Sequence, residues 1–143
     1  LIKNSDVLRM KIPYPKIDSK LAYQAHMYIC YKKELNDYKF IKCQTLKPYM
    51  IGENNPVNNF IDEFPDENRN PFTKHTRIDC DKLFNTSGVW YSDKLLTSIR
   101  RDICKELYNE LEFKIKNIDI SIIKVIEKDL IMLNKFIRFI DGV

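Results

Sequence analysis

The chain holds two histidines, His26 and His75. Imidazole is the one side chain whose ordinary pKa lies near neutrality, so acid-base chemistry without a cofactor starts from these two residues. His26 opens the apolar run Met27–Tyr31, and a second run from Tyr38 ends in Gln44 and Thr45. Paired as a hairpin, the two runs bring His26 close to Thr45 and Gln44, whose hydroxyl and amide suit donation to phosphate oxygens. Lys20, Lys42 and Lys47 group around the same hairpin and would neutralise phosphates, while Tyr23, Tyr28, Tyr49 and Trp90 offer faces on which unpaired bases could stack. His75, between Lys74 and Arg77, is a second proton-transfer candidate beside two further phosphate-binding cations. Each assignment has a plainer counterpart. His26 could be a strand-edge imidazole bonded to a loop carbonyl, Thr45 an ordinary β-former, His75 a solvated loop residue, and most of the aromatics core.

The charge distribution favours a polyanion. Net charge is +4 over 143 residues, but residues 1–50 carry ten Lys/Arg against four Asp/Glu, residues 51–92 four against seven, and residues 93–143 ten against nine. A basic N-terminal third is what a nucleic acid would meet, although scattered solvated lysines give the same count. Cys30, Cys43, Cys80 and Cys104 stand far apart with no C-x-x-C pair, so neither a zinc site nor any other metal is expected, and buried thiols in a reducing cytoplasm are. No P-loop, G-x-G-x-x-G, H-E-x-x-H or G-x-S-x-G is present, which removes the usual signatures of nucleotide, dinucleotide, zinc and serine chemistry, and no cofactor is expected. Without a long uncharged apolar run, neither a signal peptide nor a membrane span is expected.

These residues need elements to hold them. With 44% apolar residues and this length, one domain spanning 1–143 with a single core is expected. Alternation from Asp6 to Tyr14 predicts a first strand, His26–Tyr31 a second and Tyr38–Thr45 a third, with Lys32–Asp37 as the turn. On the third strand Ile41, Cys43 and Thr45 share one face, and Phe40, Lys42 and Gln44 the other. Residues 52–74, rich in Asn, Pro and acid, read as a long loop, either a functional flap or a disordered segment. A strand follows at Thr76–Cys80 and an extended piece at Gly88–Tyr91. Ser92 suits a helix N-cap, with Leu96, Ile99, Ile103, Leu107, Leu111 and Ile115 as the apolar stripe after it. A last helix is expected from Asp119 to Ile140, where Ile123, Ile126, Leu130, Leu133, Ile137 and Ile140 recur at heptad spacing.

The order of these stretches resembles the PemK/MazF family of toxin endoribonucleases. Ser5–Pro15 is similar to the family's opening strand and its proline exit, Ala25–Cys30 to its second strand, and Phe40–Thr45 to its third, which ends in a functional Thr or Ser. Arg77–Leu83, Gly88 and the stretch Ser92–Leu111 resemble its last strand, Gly turn and helix. The likeness covers residues 5–113 and leaves 117–143 as an extra C-terminal helix. It implies an α+β fold, a small curled antiparallel β-barrel with a terminal helix, to which the heptad stretch adds the second of two C-terminal helices. It also implies metal-independent cleavage of single-stranded RNA through 2′-OH attack, a homodimer, and an antitoxin partner that is either protein or RNA. Where the family opens with Gly-Asp this chain has Ser5-Asp6, and where the second strand begins Arg-Pro it has Ala25-His26. The family's catalytic Arg therefore has no counterpart, and His26 becomes the candidate acid or base. The catalytic set expected is His26, Thr45 and His75, with Lys20, Lys42, Gln44, Lys47, Lys74 and Arg77 on the RNA. Two alternatives stand beside this reading: a non-catalytic RNA-binding or protein-interaction relative, and an interaction protein that docks its partner through the heptad helix.

Overall fold

The computed structural model describes residues 1–52 and 57–140. It is α+β with mostly antiparallel strands. Strands β1 (Val7–Met10), β2 (His26–Glu34) and β3 (Asp37–Thr45) form the meander expected, with Met10 opposite His26 and Met27 opposite Cys43. A two-residue turn, Leu35-Asn36, joins β2 to β3, and Leu35 takes a φ of 55° there, the left-handed geometry that tight hairpins require. Between β1 and β2 lies the single-turn helix α1 (Lys20–Tyr23).

β3 organises the rest. Its second half pairs with β5 (Thr76–Asp79), which carries β4 (Phe60–Glu63) on its far side, and its first half pairs with β6 (Lys82–Ser87). β8 (Ser121–Lys124) runs parallel beside β6, while β7 (Val89–Tyr91) and β9 (Ile137–Phe139) form a separate two-stranded sheet. Among the described residues no pairing joins β1 to β4 or to β8, so the curled sheet stays open where a closed barrel was expected. β4 falls inside the segment expected to be loop. Its four residues are paired with β5, and Arg69 ties the following turn to Glu63 at 2.8 Å and to Glu110 of the long helix at 2.6 Å. Residues 53–56 of that segment lie outside the described residues.

Alternation along β3 gives the sheet two buried faces. Tyr38 and Phe40 join Leu8, Met10, Tyr28 and Phe84 in one core, and Ile41 and Cys43 join Ile29 and Ile78 in the other. Helix α2 (Lys105–Lys116) covers the second face with Leu107, Leu111 and Ile115, one residue per turn on a single stripe. Each such side chain removed from water contributes about 1.5–3 kcal/mol. Cys30, Cys43 and Cys80 are buried and Cys104 is half-buried.

Two helix expectations fail for physical reasons. The chain after Ser92 is not helical until Lys105. Ser92 caps only a 3-10 turn, Asp93–Leu95, through Lys94 N–H, and the true N-cap is Cys104, whose Sγ accepts from Leu107 N–H. Residues 96–103 are instead an irregular segment, bent at 98, 99 and 101, that the first strand holds by backbone bonds: Thr97 N–H donates to Val7 O, Val7 N–H to Arg101 O and Ile103 N–H to Ser5 O. The expected 119–140 helix is instead β8, the short helix α3 (Glu127–Leu133) and β9. Asn134 breaks it. Its Oδ1 accepts from Lys11 N–H and its Nδ2 donates to Lys11 O and Leu130 O, which anchors the chain beside the exit of β1. Leu130 and Ile137 enter the first core and Ile126 points to solvent, so the heptad positions do not form one stripe.

Candidate functional site

At the open ends of β1, β2 and β3 lies a groove of about 650 Å³. Of the nine side chains expected to carry the chemistry, seven line it: His26, Thr45, Lys20, Lys42, Gln44, Lys47 and Lys74. Arg9, Tyr14, Ser19 and Tyr49 also line it. Each comes from a different local cause. β2 begins at His26, so the imidazole stands at the mouth of the sheet. β3 ends at Thr45, and Pro48 starts a 3-10 turn, Pro48–Met50, that brings Lys47 and Tyr49 to the rim. Lys20 is the first residue of α1.

His26 Nδ1 lies 3.0 Å from the Gln24 carbonyl, which can only accept; the ring therefore donates from Nδ1. In the neutral ring this leaves Nε2 as an acceptor with a free lone pair. Burial pushes the imidazole pKa below its ordinary value, the Gln24 carbonyl opposes this, and the charges of Lys42, Lys20 and Arg9 lower it further. The groove thus holds a neutral base among cations.

Beneath it, Asp79 is fully buried and joins two groove residues. Lys42 Nζ is 3.0 Å from its Oδ2, and Gln44 Nε2 donates to both oxygens at 3.2 and 3.3 Å. Burial raises the Asp79 pKa above the usual carboxylate range, and the Lys42 charge pulls it back. The carboxylate fixes where Lys42 and Gln44 sit. Sequence alone gave no pointer to it, because the link depends on β3 pairing with β5.

Alternation separates Thr45 from His26. His26 shares a face with Lys42 and Gln44, whereas Thr45 follows Cys43 onto the opposite face, and the groove turns around the strand ends to reach both. The imidazole and the hydroxyl do not converge. His75 and Arg77 are outside the groove altogether. The His75 ring stacks on Phe64 with centroids 4.0 Å apart. Arg77 is 3% exposed, donates from Nε and Nη2 to Asp62 at 2.8 Å each and from Nη1 to the Met50 carbonyl at 2.7 Å, and lies over the Phe60 ring. Its cation belongs to the interior.

Of the four aromatics read as stacking faces, Tyr28 is core, and Trp90 lies on the β7–β9 sheet with Arg138 against its ring at 4.5 Å. Tyr23 is exposed on α1 without lining the groove. Tyr49 alone of them is both exposed and in the groove. Among the described residues no three His, Cys, Asp or Glu side chains converge as metal ligands, and no helix is long and apolar enough to cross a membrane. Set against known proteins, the chain matches no family profile, no curated protein and no solved structure.

Proposed function

We propose that the protein is a metal-independent endoribonuclease that takes single-stranded RNA into this groove. The observation that carries the reading is the His26 imidazole, its Nδ1 committed to the Gln24 carbonyl and its Nε2 without a partner among the described residues, set with Lys20, Lys42 and Arg9 in a cleft with room for a nucleotide. In the step proposed, Nε2 takes the proton of a ribose 2′-OH, and the 2′-oxygen attacks the adjacent phosphorus. The bond to O5′ breaks and O5′ takes a proton from solvent, leaving a 2′,3′-cyclic phosphate and a 5′-hydroxyl. Lys20 and Lys42 stabilise the charge that gathers on the phosphate oxygens. The wider role, a homodimeric cytoplasmic toxin of the PemK/MazF kind restrained by a protein or RNA antitoxin, rests on the resemblance in strand order.

Binding without cleavage is the second reading. It is favoured by the separation of Thr45 from His26 and by the position of His75, which together leave the groove with one imidazole. One experiment divides the two: a mixed RNA pool incubated with the protein in EDTA. Fragmentation that His26→Ala abolishes supports the nuclease. Intact RNA, bound with strong salt dependence, supports binding alone. RNA neither cut nor bound refutes both.

A further inference from the structure

Resting on the groove being a site for single-stranded RNA, we propose that Tyr49 is its base-stacking residue, presented by a turn that the buried Arg77, paired with the half-buried Asp62, clamps in place.

The turn is fixed from inside. Met50 is buried, its carbonyl accepts from Arg77 Nη1 at 2.7 Å, and its sulfur lies 3.4 Å from Lys47 N–H. Arg77 is itself oriented by its two bonds to Asp62 across β4 and β5. A guanidinium so engaged behaves as a rigid fork. Pro48 sets the other end of the turn by restricting φ. Between two anchored neighbours, Tyr49 is 58% exposed. Among the described residues its ring meets no other ring and no cation, whereas His75 occupies one face of Phe64 and Arg138 lies against the ring of Trp90. A large ring held open to solvent by a rigid turn, at the rim of a basic groove, is an available face for an unpaired base. Every nucleobase has such a face, so the contact is sequence-tolerant and complements the charges of Lys20 and Lys47.

Stacking and charge respond differently to salt, which makes the proposal testable. Affinity for a fluorescently labelled, 2′-O-methylated single-stranded oligonucleotide, which cannot be cut by 2′-oxygen attack, is measured over a series of salt concentrations. Tyr49→Ala is expected to lose affinity by about tenfold or more with the slope of log K against log salt unchanged, since no phosphate contact is lost. Tyr49→Phe and Tyr49→Trp are expected to bind like the natural chain. Lys20→Ala is expected to flatten the slope. Because Tyr49 is exposed, its variants should melt with the natural chain. Equal binding by Tyr49→Ala overturns the proposal while leaving the RNA site standing, as does a loss in Tyr49→Phe matching that in Tyr49→Ala, which would assign the effect to the hydroxyl. Absence of binding by the natural chain itself would instead remove the RNA site, and this inference with it.

Discussion

Replacing Lys42 with methionine tests the electrostatics beneath the groove. The variant keeps a side chain of similar length but loses the ammonium, leaving buried Asp79 with the two Gln44 contacts as its hydrogen bonds among the described residues. Breaking a buried pair by removing one partner costs about 3–5 kcal/mol. The Lys42 side chain is 15% exposed and the Asp79 side chain 0%, so solvent screens the pair only slightly, and the Gln44 amide recovers part of the loss. About 3 kcal/mol at neutral pH is therefore expected, which urea denaturation would read as a midpoint lowered by about 1–2 M at an ordinary slope. The cost depends on pH in a definite direction. Asp79 already has a folded-state pKa above its unfolded value, and losing Lys42 raises it further. An acid whose pKa is raised on folding binds its proton more tightly when folded, so ionising it weakens the fold above the unfolded pKa, and acid relieves that penalty. The deficit of Lys42→Met should be largest at neutral pH and shrink as pH falls toward the ordinary carboxylate value. The double variant Lys42→Met, Asp79→Leu should recover much of the stability, because an apolar pair replaces the ionic one without leaving an unpaired charge. A single variant within about 1 kcal/mol of the natural chain, or a deficit that deepens in acid, would refute this account of Asp79.

Two further outcomes follow from the same geometry. The ring signals of His26 should titrate below the ordinary imidazole value of about 6.5, and Lys20→Ala should move that midpoint upward by removing a neighbouring charge; a midpoint at or above the ordinary value would contradict the half-buried, cation-flanked ring. The sign for stability is the usual one for a histidine whose pKa is lowered on folding: its contribution is present above the unfolded pKa and is lost as pH falls through the folded one. Leu130→Ala should cost about 2–5 kcal/mol in denaturation, because Leu130 is fully buried in the first core, whereas a peripheral docking helix would leave the transition unchanged.

The parts of the fold legible in the sequence were those set by local alternation. Leu8, Met10 and Ile12, and the two faces of β3, follow a period of two that packing on both sides preserved. That regularity also brought most of the expected groove residues together, since the strand ends fall where the hairpin pairing requires. What the sequence hid was decided by distant partners. Leu96 and Ile103 fit a helical stripe, yet Leu96 bridges Leu8 and Ile103 N–H bonds to Ser5, so sheet-like pairing overrode a helical spacing. Ile123, Ile126 and Leu130 fit a heptad, but Ile122, Ile123 and Val125 are β-branched and the first two pair with β6, while Asn134 spends its amide on Lys11. Asp79 went unremarked and Arg77 was expected on the RNA for a related reason. A charged residue in a strand reads the same whether it faces a groove or a buried counter-ion, and only the β3–β5–β4 pairing tells which.

The most direct test of the groove as a nuclease site is the chemistry of the cut ends. Single-stranded RNA digested in EDTA should carry 2′,3′-cyclic phosphates and 5′-hydroxyls, and their formation should rise as pH climbs through the His26 midpoint and vanish in His26→Ala. Ends bearing 5′-phosphates, or cleavage undiminished in His26→Ala, would contradict the mechanism built on that imidazole.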